Sequence, residues 1–180
     1  PSTLSSFDRG THMVDLLNRL KPDAFSVGKS ELAFREDELT LRSREASFPF
    51  LSANLFDPLT GSQPEGIKPY LILKVNGLTL GVFSMTSPEL MDDYLLDRAT
   101  LTSFEETILK TSKTLKAQET DLVVLMCDYV SPLFYKLLSE KIADIILVSD
   151  VKETVFKDDS SAMIVHDRSD KAFILEINLE

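Results

Sequence analysis

The chain is poor in the residues from which catalytic metal sites, disulfide frameworks and nucleic-acid surfaces are built. Its 180 residues include one cysteine, Cys127, so no internal disulfide can form and the redox compartment stays open. It has two histidines, His12 and His166, although histidine is the usual ligand of a catalytic transition metal. Cations are outnumbered: Lys+Arg is 19 against 29 Asp+Glu, a net charge of −10. Such a surface repels nucleic-acid phosphates and acidic membranes, which argues against both as partners. The longest apolar runs, such as "DLVVLMC", are far too short to span a bilayer. Repeats, low-complexity tracts and long linkers are absent. The sequence opens at Pro1 without Met, signal peptide or basic targeting segment, which leaves a processed N-terminus and an incomplete chain both open.

What is present reads as one globular unit over residues 1–180. Hydrophobic residues make up 43% and charged residues 27%, enough for a proper core. "HMVDLLNRL" has helical apolar spacing, with Thr11 as a candidate cap and Pro22 as a stop. "DAFSVG" reads as a short buried strand, and "SELAFREDELTLRSREA" as one amphipathic helix. "FPFLSANLF" reads as a strand entered through Pro49, and residues 57–69 as a loop. Two β-rich runs flank Asn76-Gly77, a strong hairpin signal. "SFEETILKTSKTLKAQ" and "SPLFYKLLSEKI" are helices; "DLVVLMC" and "DIILVSD" are buried strands. "SAMIVH" and "KAFILEINLE" read as a final antiparallel pair. Apolar strands alternating with amphipathic helices predict an α/β fold with a mixed sheet covered by helices.

Ligands of such folds sit at strand ends. Three strand ends therefore matter: Gly28-Lys29-Ser30-Glu31, Cys127-Asp128-Tyr129 and Ser149-Asp150-Val151-Lys152. Gly28-Lys29-Ser30 is not a phosphate loop, because Asp23 stands where that motif needs its first glycine.

"GTHMVDLLNRLKPDAFSVGKSE", "FPFLSANLFDPLTG", "ILKVNGLTLGVFSMTS", "DLVVLMCDY" and "ADIILVSD" follow one another in a familiar order and spacing. In these segments the chain resembles the calcineurin-like metallophosphoesterase domain of the 5′-nucleotidase type, over essentially its whole length. The resemblance implies a two-sheet sandwich flanked by helices. It also implies a site where two divalent metals clamp a phosphate and generate the attacking hydroxide. The family's Asp-x-His strand and Gly-Asp turn should lie upstream of Pro1, so the expected fold here lacks that first strand or has it supplied from outside. The family's Gly-Asn-His-Glu loop is Gly28-Lys29-Ser30-Glu31 here, with Lys29 for the metal-binding Asn and Ser30 for the proton-donating His. Asp128 replaces the His of the Ser-His strand end. Asp150 and Lys152 replace both histidines of Gly-His-x-His. Glu31 alone is kept, and it is not a direct metal ligand.

An ammonium group only donates hydrogen bonds and repels a divalent cation. Two readings follow for the old pocket. Either these loops are simply solvated, or Lys29 and Lys152 face Asp128 and Asp150 and replace metal by protein charge, a pairing whose disruption would cost ~3 kcal/mol in a closed pocket. Lys29 and Lys152 are also candidate contacts for a bound anion or nucleotide. Asp128 and Asp150 are candidate oxygen ligands for magnesium or calcium, but two nearby lysines make that cage poor. Asp144 lies at the wrong end of its strand. His12 reads as a cap or surface residue and His166 as structural or exposed. Ser30 has no neighbouring base to activate it. Cys127 reads as a buried thiol, reactive only if lysines lower its pKa. Residues 85–107, with Leu90, Met91, Tyr94, Leu95 and Leu96, read as a lid packed on its own domain or as a protein-docking surface.

The resulting expectation is a catalytically inactive phosphoesterase-like domain without cofactor, serving as a structural or protein-interaction module within a larger assembly. One alternative is an active enzyme with two divalent metals and an upstream-completed or rearranged site. The other is a metal-free anion or nucleotide binder. Members of the resembled family are often exported, which implies an extracytoplasmic location.

Overall fold

The computed structural model describes residues 3–93, 96–149, 156–158 and 163–166. Its centre is a six-stranded sheet in the order β10 (Phe156–Asp158), β11 (Met163–His166), β9 (Ile145–Val148), β8 (Leu122–Cys127), β6 (Leu78–Met85), β5 (Tyr70–Val75). Strands β5 (Tyr70–Val75) and β6 (Leu78–Met85) form the hairpin that Asn76-Gly77 announces. Both turn residues have positive φ, 51° and 85°, as a tight two-residue turn requires. β8 (Leu122–Cys127) and β9 (Ile145–Val148) continue the sheet in parallel. Helices α5 (Phe104–Lys116) and α6 (Phe134–Ser139) make the crossovers. Ser103 caps α5 by accepting from the Glu106 amide. Phe83, Met85, Leu125 and Ile146 are fully buried with Ile108 and Leu115 of α5, in the larger of two cores.

The smaller core gathers around a parallel sheet of three two-residue strands, β1 (Phe25–Ser26), β2 (Phe50–Leu51) and β4 (Ile67–Lys68), ordered β1-β2-β4. Its aromatic centre is Phe25, Phe48 and Phe50, with ring centroids 4.8–5.9 Å apart. Helices α2 (Thr11–Leu20) and α3 (Arg35–Glu45) flank it, and α1 (Thr3–Asp8) packs on α2. A two-stranded ribbon, β3 (Leu55–Phe56) with β7 (Thr100–Leu101), completes the α/β sandwich.

Several sequence expectations are corrected. Asp8, not Thr11, caps α2: its carboxylate accepts from the amides of Gly10 and His12 at 3.0 and 3.1 Å. "SELAFREDELTLRSREA" is not one helix. A 3-10 turn, Lys29–Leu32, precedes α3, and Arg35 at φ 69° opens that helix. "FPFLSANLF" splits into β2 and β3, and residues 67–68 of the expected loop form β4. β11 (Met163–His166) runs parallel to β9, whose apolar edge it covers, and its antiparallel partner is β10 (Phe156–Asp158). "KAFILEINLE" lies outside the described residues. In the 85–107 segment, α4 (Leu90–Asp93) places Leu90 fully buried in the smaller core, against which Leu96 also packs. Met91 is exposed, and Tyr94 and Leu95 lie outside the described residues. The segment thus anchors on its own domain at Leu90 and Leu96.

The β2–β3 break has a polar cause. Asn54 is buried, and its amide grips Thr86 on both backbone groups: Oδ1 accepts from the Thr86 N–H at 2.8 Å, and Nδ2 donates to its C=O at 2.9 Å. Thr86 Oγ1 meets Ser52 Oγ at 2.9 Å and donates to the Val27 carbonyl at 2.8 Å. Ser84 Oγ donates to the Leu51 carbonyl, and the Ala53 amide donates to Ser84 O at 2.7 Å. This buried network ties the end of β6 to β1 and β2. Asn54→Ala leaves two buried backbone groups unmatched and is expected to cost about 3 kcal/mol of unfolding free energy in a urea titration. A loss below about 0.5 kcal/mol would show that the two sheets are held together by other contacts.

Candidate functional site

The Gly28–Glu31 turn follows β1, and Asp128 follows β8, so sheet topology brings both to one end of the fold. Asp128 is half-buried, and both carboxylate oxygens are engaged. Oδ2 accepts from the Lys29 amide at 2.6 Å, and Oδ1 accepts from the Ser87 amide at 2.9 Å. One side chain thereby closes three strand ends, those of β1, β6 and β8. Such charge-assisted bonds to amide donors are the stronger kind.

Gly28 makes that closure sterically feasible. A Cβ there would lie 2.8 Å from Asp128 Oδ2 and 3.2 Å from Glu31 Oε2. Its amide donates to Glu31 Oε2 at 2.8 Å, so the Glu31 carboxylate folds back to seal the start of the turn. Burial pushes the Glu31 pKa up to about 7, against the pull of the Gly28 and Glu31 amides, and the nearby Asp128 charge raises it further. Glu31 therefore titrates near neutrality.

Lys29 meets Asp128 through its backbone N–H. Its ammonium lies 3.9 Å from Glu89 Oε2, so an anion arriving there competes with a carboxylate. Ser30 is exposed. Asp150 and Lys152 lie outside the described residues, as does the proposed facing of two lysines and two aspartates as a set. His166 belongs to β11, and nothing further is described of its side chain. His12 pairs with Asp8, Nδ1 to Oδ2 at 2.8 Å, as a surface residue at the start of α2. Asp144 accepts from the Val123 amide at 2.8 Å, at the opposite end of the sheet. Cys127 is buried, and burial pushes its thiol up to about 12, with the Asp128 charge adding to the shift. The expected buried thiol is therefore what the structure shows.

Among the described residues, no group of three or more His, Cys, Asp or Glu side chains could hold a metal ion. No described helix is long and apolar enough to cross a membrane. Sequence reasoning missed Ser87 and Glu89. Both lie just past β6, in a segment read as a lid; the one sign of them was that β6 runs beside β8 and must end at the same edge.

No family model matches the chain. Over 121 residues, 65% of its length, it is 33% identical to the uncharacterized metallophosphoesterase YunD of Bacillus subtilis (strain 168), and it spans 25% of that protein. Solved structures that share its fold include the following three. The sulfate thiohydrolase SoxB of Thermus thermophilus has a TM-score of 0.79 at 20% identity, over 93% of this chain and 32% of that one. The calcineurin-like phosphoesterase YfkN of Bacillus subtilis has a TM-score of 0.71 at 18% identity, over 87% and 57%. A 5′-nucleotidase precursor, also of Thermus thermophilus, has a TM-score of 0.67 at 16% identity, over 89% and 35%.

Glu31 offers a direct check on this geometry. Its folded-state pKa is raised, so the native state holds a proton that the unfolded state releases between about pH 4.5 and 7. The cost to stability is absent below that window and complete above it. Glu31→Gln keeps an acceptor for the Gly28 amide and cannot ionise. It is expected to stabilise the fold by on the order of 2–3 kcal/mol at pH 8 and by little at pH 5, read by denaturant unfolding at both pH values. An equal effect at both values would place the carboxyl in water.

Proposed function

Because this chain carries the metallophosphoesterase fold and is a homologue of a Bacillus metallophosphoesterase, we propose that it is a non-catalytic module of that fold, serving structure and protein binding. The observation that carries this reading is Asp128. At the position where the resembled family places a metal-binding histidine, both oxygens already satisfy backbone amides of Lys29 and Ser87. The described residues do not fit a two-metal centre. Lys29 brings a positive charge to the same turn, and Ser30 lacks a base. The protein-binding half rests on α1 and α2. Phe7 is 89% exposed and Leu20 68%, and Met13 and Leu16 continue an apolar stripe along α2. The acidic net charge of −10 favours a protein over a nucleic acid as partner.

A second reading is an active phosphoesterase within a longer polypeptide. It is favoured by the name of the Bacillus relative, of which the chain spans a quarter. Such an enzyme would need metal ligands from outside these residues. An extracytoplasmic location and a metal-free anion site at Lys29 and Lys152 remain proposals of the same kind.

The decisive measurement is hydrolysis of p-nitrophenyl phosphate and of nucleoside monophosphates with manganese or cobalt added, alongside elemental analysis. This chain is expected to show no turnover above the metal-only background and less than one equivalent of bound metal. Turnover that Asp128→Ala abolishes would overturn the non-catalytic reading.

A further inference from the structure

A cavity of about 140 Å³ lies beside the Gly28–Glu31 turn, beneath α2 and α3. Its wall is apolar and partly aromatic: Val14, Leu17, Phe25, Phe34, Leu39 and Phe50. Exposed Arg9 and Ser30 mark its mouth. Arg42 lines it too, and carries a buried donor with an unmet bond. Its terminal nitrogens pair with Glu38 at 2.8 Å, with Glu45 at 2.6 Å and with Thr11, while its buried Nε–H has no acceptor. Buried N–H groups of this kind find a partner in the protein, in water or in a ligand. A pocket of this volume accepts a molecule as large as benzene.

We propose that this cavity is a binding site for a small aromatic or alicyclic molecule that carries one neutral hydrogen-bond acceptor, a hydroxyl or carbonyl oxygen. The hydrocarbon body packs among the phenylalanines, as aromatic faces and edges prefer. The acceptor oxygen takes the Arg42 Nε–H. A carboxylate is disfavoured, because the two cations lining the cavity, Arg9 and Arg42, are already paired with Glu38 and Glu45, and Glu31 adds an acidic group. The site lies among α2, α3, β1 and β2 and does not use Asp128, although Ser30 and Glu31 of the turn reach its edge.

The test is ligand-detected NMR and calorimetry on the full chain with three probes: benzene, benzyl alcohol and benzoate. Benzyl alcohol is expected to bind at least fivefold more tightly than benzene, and benzoate not at all. Val14→Phe fills the cavity and is expected to abolish binding of both neutral probes. Arg42→Lys keeps a cation for Glu38 and Glu45 but has no Nε–H. It is expected to erase the preference for benzyl alcohol while benzene still binds, which a merely structural role for Arg42 would not do. Binding unaffected by Val14→Phe, or absence of binding by either neutral probe to the folded wild-type chain, would overturn the proposal. So would equal affinity for benzene and benzyl alcohol.

Discussion

Everything at the strand-end face hangs on the grip of Asn54 on Thr86. The two sheets meet end to edge near β6, and a purely apolar junction there would leave the Thr86 amide and carbonyl buried and unmatched. Asn54 satisfies both with one side chain. Ser52 and Thr86 then extend the bonding to the Val27 carbonyl, immediately before Gly28. The position of the turn after β1 is thus fixed by the end of β6. Ser87, the next residue, hands its amide to Asp128. Polar groups buried in this way specify one arrangement because a slipped one would leave several of them unsatisfied at once.

A second consequence concerns charge. The turn holds Glu31 and Asp128 close together, and backbone amides serve both carboxylates. Amide donors are neutral and fixed in place, so this stabilisation does not weaken with salt as a surface ion pair would. Glu31 bears the burden of the crowding. It sits beside a charged neighbour in a desolvated position, and its raised pKa is the physical trace of that arrangement.

The larger sheet was legible because its signals are local. "DLVVLMC" and "DIILVSD" are continuous apolar runs, and Asn76-Gly77 permits little but a tight turn. The smaller sheet was blurred because two-residue strands carry no periodicity. "FPFLSANLF" broke at Asn54, whose burial depends on Thr86, thirty-two residues away, and no local pattern encodes that. The helix after Gly28 broke because Arg35 takes a left-handed conformation that its residue type does not advertise. At the site, the positions of Lys29, Ser30 and Asp128 were legible from motif order. Their contacts were not: the bond from Lys29 to Asp128 runs through an amide that every residue but proline possesses, so the side-chain chemistry of lysine gave no hint of it.

Gly28 sets a limit on what this face could become. The gap between its Cα and Asp128 Oδ2 has no room for even a methyl group. Placing histidine at position 128 would replace two acceptors by one ring nitrogen, leave either the Lys29 or the Ser87 amide unserved, and bring a bulkier ring against Gly28. A change at position 128 alone therefore carries a stability cost at two amides and one close approach. The stapled turn behaves as a latch in sequence space: Gly28, Glu31 and Asp128 are free to change only in concert.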